Sequence, residues 1–281
     1  MFKEISIDGL ECIGKGGTGE CYRLDEDKII KLYYDGIPEE RAVCEKECAR
    51  TALTIGVPTA ISYDKVRVGN RTGVIYEELR GYTLAEAICK QPERIAEYGT
   101  EFARIAHTLH DVKGDFAKFP KSTDVIRSEV SKIDYADSDT IARIYAFLDE
   151  LDEYDSYVHG DFHLNNVMIC DGESRIIDLG GFSVGCPMFD IATLYFQLFE
   201  APEIKYGERS SFTGLTKEQH SLFWEAFISA YFENDSYDLT LIKDVVLLKK
   251  LRFERLYPTK CNMPDYYESI RNEVCQRWGF H

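Results

Sequence analysis

The sequence contains no long apolar run, and no stretch approaches the roughly 20 consecutive apolar residues that a membrane-spanning helix needs. Its first residues, Met1-Phe2-Lys3-Glu4, lack the charged and then apolar order of a signal peptide. We therefore expect a cytoplasmic protein with no membrane partner. Low-complexity tracts and internal repeats are also missing from the sequence, which excludes a chain disordered throughout and a repeat architecture.

Cysteine is present, but not in the patterns that form disulfide frames or zinc sites. The nine cysteines are scattered, odd in number and without a Cys-x-x-Cys pair, which favours reduced thiols in a cytosolic protein. Cys44 and Cys48 lie one helical turn apart, but neither a nearby histidine nor a second pair accompanies them. We expect two small apolar side chains there rather than a metal site.

Positive charge is scarce relative to negative charge. The chain has 33 Lys and Arg residues against 49 Asp and Glu residues, which gives a formal net charge of −16 at pH 7. Nucleic acids and anionic membranes would be repelled by such a protein, so neither is expected as a partner. A cationic substrate is compatible with this charge.

The order of hydrophobic patterns along the chain predicts an α+β fold. Short strand patterns rich in β-branched and aromatic residues dominate the first part, where one helix is expected from Pro38 to Leu53. Helical periodicity dominates after Gly81, interrupted by a strand-and-loop segment from Tyr157 to Phe182. We therefore predict two lobes, a small β-rich N-lobe at residues 1–78 and a larger helical C-lobe at residues 79–281.

Three polar side chains stand at fixed spacing between apolar strand patterns in that segment. Asp161 and, five positions later, Asn166 lie in one run, and Asp178 ends the next apolar run. Phosphoryl transfer from a nucleotide needs such groups close together. One carboxylate orients or deprotonates the acceptor hydroxyl, while a carboxamide and a second carboxylate hold divalent metal on the phosphates. The alternative is that these three polar residues have only a structural role and cap two hairpins. The occurrence of all three groups in this order argues against that alternative.

The segments around these residues resemble the aminoglycoside phosphotransferase and choline kinase-like group, a branch of the protein-kinase-like superfamily. The resemblance lies in His159-Gly160-Asp161 with Asn166, in Ile177-Asp178-Leu179-Gly180, and in Met188-Phe189-Asp190-Ile191-Ala192. It covers nearly the whole chain in element order and is sharpest between residues 158 and 192. It implies a bilobal protein-kinase-like fold and a phosphotransferase that uses an alcohol group as acceptor.

The resemblance also implies roles for single residues. Asp161 is the implied catalytic base, and Asn166 and Asp178 are the implied ligands of Mg²⁺. Asp190 is implied to hold the catalytic loop, and His159 to pack inside and hydrogen-bond the backbone around Asp178. For His163 we expect a role in ordering the loop.

A glycine-rich turn between two strand patterns supplies a second element of the resemblance. Its glycines are Gly14, Gly16, Gly17 and Gly19. A strand–turn–strand arrangement lets backbone N–H groups lie over nucleotide phosphates. Lys31, twelve residues after the turn, is expected to bridge the α- and β-phosphates if a helix carboxylate fixes it. We predict Glu47 as this partner rather than Glu45, which lies on another face of the same helix.

The run Ile75-Tyr76-Glu77-Glu78-Leu79 resembles the hinge that reads the adenine edge of the nucleotide. By position, the Glu77 carbonyl and the Leu79 amide would make those hydrogen bonds. Tyr76 would stand at the back of the base pocket and narrow it, and ordinary core packing of this tyrosine is the alternative. ATP is the expected phosphoryl donor, with GTP as the alternative.

The segment after Asp178 is too short for the peptide-binding platform of protein kinases. Eleven residues separate Asp178 from Asp190, no Ala-Pro-Glu follows, and Gly160 replaces the arginine that reads a phosphorylated activation segment. A small-molecule hydroxyl acceptor, bound against the C-terminal helices, is therefore the expected partner. Two alternatives stay open: a protein kinase without an activation segment, and a non-catalytic nucleotide-binding module.

The C-terminal region is rich in carboxylates and aromatic rings, which suit aminoglycosides, choline-like amines and other cations through ion pairs and cation–π contacts. The carboxylates are Glu200, Glu203, Glu233, Asp235, Asp238 and Asp265. The aromatic residues are Tyr195, Phe196, Trp224, Tyr231, Tyr237 and Tyr266. For any one carboxylate, a solvated helix face is the simpler interpretation.

Overall fold

The computed structural model describes residues 2–201, 210–233, 235–256 and 264–279. Packing divides the chain into two compact units, Met1–Ala87 with Asn165–Phe182, and Ile88–Leu164 with Ser183–His281. These units follow packing rather than chain order, so the lobe boundary predicted after residue 78 stays a prediction. Within the described residues, no helix combines the length and apolar character that crossing a bilayer requires.

The first unit is built on a mixed sheet with the strand order β1-β5-β6-β4-β3-β2, in which β1 and β5 are parallel and the other neighbours antiparallel. Its strands are β1 (Lys3–Glu4), β2 (Cys12–Lys15), β3 (Gly19–Arg23), β4 (Lys28–Tyr33), β5 (Ser62–Val68) and β6 (Arg71–Glu77). Helix α1 (Glu40–Thr54) packs on β5 and β6. The helix predicted from Pro38 to Leu53 is present with slightly shifted bounds, and the strand-rich character predicted for this region is confirmed.

The two faces of this sheet have different roles because side chains alternate along a strand. Ile30 of β4, Val66 of β5 and Ile75 of β6 form a buried apolar cluster on one face. The alternate residues of β4, among them Lys31 and Tyr33, point to the opposite face. Lys31 and Tyr33 are thus kept apart from the apolar cluster.

A second, small sheet completes the first unit with strands from two distant parts of the chain. It has the order β10-β9-β7, formed by β7 (Tyr82–Thr83), β9 (Val167–Cys170) and β10 (Glu173–Ile176). The Thr59 hydroxyl donates to the Ile176 carbonyl at 2.7 Å, and the Ile176 amide donates to the Pro58 carbonyl at 2.7 Å. These bonds tie the end of β10 to the segment after α1.

The second unit is mainly helical. Its elements are α3 (Ile95–His110), α4 (Asp124–Val130), α5 (Ser138–Leu151), β8 (Ser156–Val158), β11 (Ser183–Gly185), α6 (Met188–Tyr195), α7 (Lys217–Tyr231), α8 (Leu239–Leu256) and α9 (Pro264–Trp278). Helix α2 (Leu84–Lys90) carries the chain from one unit to the other. Helix α4 was not expected from the sequence. Helix α6 continues directly into a π-helical turn at Phe196–Glu200.

Helices α3 and α7 pack closely at the centre of this unit. Gly99 permits the approach, since a Cβ there would collide with Ala226 and the backbone of α7. Phe102 of α3 lies between the rings of Phe162 and Phe223, with ring centroids 4.2 and 5.6 Å away. Because Phe162 directly follows Asp161, the apolar core itself anchors the loop that carries the predicted base.

Candidate active site

Lys31 in β4 is the centre of a charged cluster in the first unit. Its ammonium lies 2.7 Å from Oε1 of Glu45 and 2.8 Å from Oδ1 of Asp178. Burial lowers the pKa of Lys31, but the charges of Glu45 and Asp178 outweigh that effect and raise the pKa above its ordinary value. The lysine is therefore cationic at neutral pH, as binding of phosphate requires.

The carboxylate that pairs with Lys31 is Glu45, so the choice of Glu47 was wrong. Glu47 is 50% exposed and lies 3.2 Å from Arg50 on the outer face of α1. Glu45 is 2% exposed and belongs to the buried face of α1. The sequence itself marks this face with small residues at helical spacing from Glu45. Ala42 lies three residues before Glu45, and Ala49 and Ala52 lie four and seven residues after it.

Asp178 and Asn166, the predicted metal ligands, come from neighbouring backbone segments of the first unit. The Ile177 amide donates to the Asn166 carbonyl at 2.9 Å, and Asp178 follows in a left-handed conformation with φ 59° and ψ 57°. A Cβ at Gly180 would displace the Arg41 guanidinium and would lie 3.1 Å from the Glu45 carboxylate. One carboxylate and one carboxamide are oxygen donors that fit Mg²⁺, which proteins bind through few side chains together with substrate phosphates.

The glycine-rich turn connects β2 and β3 as an antiparallel hairpin. The Gly16 amide donates to the Gly19 carbonyl at 2.8 Å, and the Tyr34 hydroxyl donates to the Gly16 carbonyl at 3.1 Å. Gly19 is required by the sheet itself, since a Cβ there would collide with the backbone of Leu32 in β4. A Cβ at Gly17 would meet open space. The phosphate-binding role predicted for Gly14, Gly16, Gly17 and Gly19 stays a prediction.

The predicted hinge begins where β6 ends. The Glu77 amide donates to the Ile61 carbonyl at 2.9 Å, and the Glu77 carboxylate accepts from the Ile61 amide at 3.1 Å. These bonds fix the strand end from which the hinge continues. Recognition of the base by the Glu77 carbonyl and the Leu79 amide stays a prediction. Tyr76 is buried, and its hydroxyl donates to Oε1 of Glu45 at 3.2 Å.

The loop that carries Asp161 lies in the second unit and is held by Asp190. This carboxylate is fully buried and accepts from the amides of His159 at 2.6 Å and Gly160 at 2.8 Å. His110 lies 3.1 Å from the same carboxylate. Burial raises the pKa of Asp190, but His110, His159 and these hydrogen bonds lower it below its ordinary value. The predicted role of Asp190 in holding the loop is confirmed.

Two histidines of this loop are buried in the second unit. The ring of His159 is fully buried, and its Nδ1 accepts from the Asp161 amide at 3.2 Å. The ring of His163 lies edge-on to that of Phe212, with centroids 5.0 Å apart. Inward packing of His159 is therefore confirmed, while its hydrogen bond to the backbone around Asp178 stays a prediction.

Asp161 keeps 56% of its side chain exposed and is surrounded by nitrogen groups. Nε2 of His163 lies 3.5 Å from its Oδ2, and the Lys249 ammonium donates to the Gly160 carbonyl at 3.3 Å. Desolvation raises the pKa of Asp161, but His163, Lys249 and His159 hold it well below the ordinary range. The carboxylate is therefore ionised at neutral pH and is a weak base.

The C-terminal carboxylates differ in their availability to an acceptor. Glu200 lies 2.9 Å from the Lys250 ammonium, and Asp238 accepts from the Thr240 amide at 2.8 Å at the start of α8. These two carboxylates have structural partners. Asp235 and Asp265 are exposed, and Glu203 lies outside the described residues. Binding of a cation by this region stays a prediction.

The sequence was compared with protein-family profiles and with curated proteins. The profile of the phosphotransferase enzyme family matches residues 20–214 of the chain. Comparison with curated proteins finds no match.

Three similar solved structures cover most of the chain. An amicoumacin kinase in complex with AMP-PNP, Ca²⁺ and Ami has a TM-score of 0.64 at 16% identity, covering 98% of this chain and 90% of its own. A putative fructosamine-3-kinase from Haemophilus somnus has a TM-score of 0.61 at 14% identity, covering 94% and 90%. An aminoglycoside phosphotransferase from Streptomyces rimosus, in complex with ADP and streptomycin, has a TM-score of 0.58 at 17% identity, covering 86% and 92%. The predicted α+β, protein-kinase-like fold is confirmed.

Proposed function

The chain belongs to the phosphotransferase enzyme family, and we propose that it is a kinase that transfers the γ-phosphoryl group of ATP to a hydroxyl group of a small molecule. The observation that carries this proposal is the Lys31 ammonium, held at 2.7 Å from Glu45 and 2.8 Å from Asp178. A partly buried lysine fixed beside an exposed carboxylate can serve phosphate and metal together. The cytoplasmic location stays a prediction.

In this proposal the residues of the first unit bind the nucleotide. Lys31 binds the α- and β-phosphates, and the glycine-rich turn offers its backbone amides to the phosphate oxygens. Asn166 and Asp178 would hold Mg²⁺, which when bound neutralises charge on the phosphates. The Glu77 carbonyl and the Leu79 amide would bind the base.

Asp161 would bind the hydroxyl of the acceptor. Its lowered pKa makes it a weak base before reaction, so its first role is to accept a hydrogen bond and orient the hydroxyl oxygen toward the phosphorus. As the new P–O bond to the acceptor forms, the bond from the γ-phosphorus to the β,γ-bridging oxygen breaks and ADP leaves. The hydroxyl becomes more acidic in this step, and its proton moves to Asp161. Asp190 supports this role because it fixes the loop backbone from the buried side.

The environment of Asp161 predicts the acid side of the pH–rate profile. Because the pKa of Asp161 is lowered, its carboxylate form persists as pH falls, so kcat/KM should show no loss from Asp161 between about pH 8 and 5. Replacing Lys249 by methionine removes a positive charge and should move the acid limb to higher pH. Steady-state rates at several pH values test this. A limb above about pH 5 that does not move in Lys249→Met would contradict the assignment.

The metal assignment makes a separate prediction. Asp178→Asn should weaken Mg²⁺-dependent binding of ATP, because a neutral amide is a poorer ligand for a hard cation than a carboxylate. Titration of ATP binding at increasing Mg²⁺ concentrations tests this. An unchanged Mg²⁺ dependence would count against Asp178 as a ligand.

A small acceptor is favoured by the length of the segment between Asp178 and Asp190. Its eleven residues contain a short 3₁₀ turn at Leu179–Gly181 and strand β11, and α6 begins at Met188. Such a segment offers little room for a peptide-binding platform. The proposed acceptor is aminoglycoside-, choline- or sugar-like. Among these, the cationic ones are favoured by the net charge of −16 and the exposed Asp235 and Asp265.

The test is release of nucleoside diphosphate from ATP and from GTP, with Mg²⁺, across a panel of aminoglycosides, choline-like amines, sugars and other hydroxylated metabolites. Release that depends on one acceptor and is lost in Asp161→Asn would support the proposal and identify the substrate class. Incorporation of phosphate into added protein would instead favour a protein kinase. Nucleotide binding with no release and no protein phosphorylation would favour a non-catalytic module.

A further inference from the structure

Glu45 receives more hydrogen bonds than an ion pair with Lys31 needs. Besides the Lys31 ammonium, the hydroxyl of Tyr33 donates to Oε2 at 2.5 Å and that of Tyr76 donates to Oε1 at 3.2 Å. Both carboxylate oxygens are thus engaged from the sheet. Neither tyrosine belongs to the residues assigned above to phosphate, metal or acceptor hydroxyl.

The register of the sheet explains why these groups meet. Lys31 and Tyr33 are two positions apart in β4 and share a face, and Tyr76 of β6 pairs with Ile29 on that same face. Glu45 projects toward this face from the buried side of α1. The four polar groups come from three elements of one unit, so only their packing brings them together.

The hydroxyl groups of Tyr33 and Tyr76 act as hydrogen-bond donors to Glu45 because both stay protonated. Burial, followed by the charge of Glu45, raises the pKa of both phenols above the ordinary value. Each phenol therefore keeps its one proton, and that proton is directed at Glu45. Hydrogen bonds to a charged group are stronger than those between neutral groups.

We propose that Tyr33 and Tyr76 are positioning residues that clamp the Glu45 carboxylate, so that Glu45 holds Lys31 in the place where it binds nucleotide phosphates. This inference deepens the proposed kinase function and rests on it for its catalytic consequence. The clamp keeps Oε1 directed at the Lys31 ammonium. Without the two tyrosine hydroxyls, the Glu45 carboxylate can rotate. The Lys31 ammonium then loses a fixed partner, although Asp178 still attracts it.

The test uses Tyr33→Phe, Tyr76→Phe and the double variant, which remove only hydroxyl groups and preserve the packed rings. Tyr22→Phe is the matched control. Its hydroxyl donates to Glu20 at 2.9 Å, another tyrosine–glutamate bond of the same sheet.

The first readout is the rate of Lys31 acetylation by acetic anhydride without nucleotide, followed by mass spectrometry. We expect an increase of about fivefold for each clamp variant, since loss of one such bond weakens the hold on the ammonium, and no change for Tyr22→Phe.

The second readout separates positioning from a purely structural role. We expect each clamp variant to lower kcat/KM for ATP by about fivefold, and to have less than about a twofold effect when Glu45 is already glutamine. A lowered melting temperature with unchanged Lys31 acetylation and unchanged kinetics would overturn the proposal. If the wild type neither binds nor hydrolyses ATP, the proposed function fails, while acetylation still decides whether the clamp holds Lys31.

Discussion

Replacing Asp161 by asparagine is expected to lower kcat by about 10³-fold or more while changing ATP affinity by less than about twofold. The amide has the shape of the carboxylate but carries no negative charge and does not accept the hydroxyl proton. Nucleotide affinity should persist because Asp161 is not among the groups proposed to bind the phosphates, of which Lys31 is the main one. The loop should also keep its conformation, since Asp190 holds its backbone amides.

The measurement is turnover with the acceptor found in the panel, beside equilibrium binding of a fluorescent ATP analogue. Asp171→Asn is the matched control, because Asp171 is also an exposed loop aspartate and asparagine tolerates its left-handed backbone, φ 51°. Turnover of Asp161→Asn within about tenfold of the wild type would exclude Asp161 as the residue that orients or deprotonates the hydroxyl.

The second large effect is expected from Glu45→Gln in helix α1, with Glu47→Gln in the same helix as its control. Glu45→Gln should lower kcat/KM for ATP by roughly 10- to 100-fold, because a charge-assisted hydrogen bond to Lys31 is lost. Glu47→Gln should change it by less than about twofold, since Glu47 is exposed and pairs with Arg50. The two substitutions are chemically identical and lie two residues apart.

Kinetics and thermal melting should be measured together for this pair. Glu45 is buried, so its substitution also affects stability, and rates must be compared at a temperature where both variants are folded. Equal losses of kcat/KM in the two variants, or a greater loss in Glu47→Gln, would contradict the assignment of Glu45 to Lys31.

The choice between these two glutamates shows where sequence interpretation was insufficient. Both lie at a plausible distance after Lys31 along the chain, and spacing alone does not set the phase of a helix. Two residues along an α-helix differ by about 200° in direction, so only one of them can face the sheet. Ala42, Ala49 and Ala52 mark that face in the sequence, and their stripe includes Glu45.

Local patterns were sufficient elsewhere. The β-branched and aromatic residues of β4 predicted a strand carrying Lys31, and the apolar runs around Asp161 and Asp178 predicted strands bracketing polar loops. These predictions depend on neighbours within a few residues, and the structure agrees with them. The pairing of Glu200 with Lys250 joins residues 50 positions apart, so no local pattern contained it.

The sequence by itself determined which chemical groups this protein has and in what order: Lys31, Asp161, Asn166, Asp178 and Asp190. Their types and spacing are local properties, and strand alternation keeps Lys31 away from the apolar cluster of its sheet. Tertiary structure decided which of the two glutamates holds Lys31, and it alone decided which hydroxyls hold that carboxylate. The physical reason is that hydrogen bonds between α1, β4 and β6 depend on helix phase and strand register, which only packing of these elements against one another establishes.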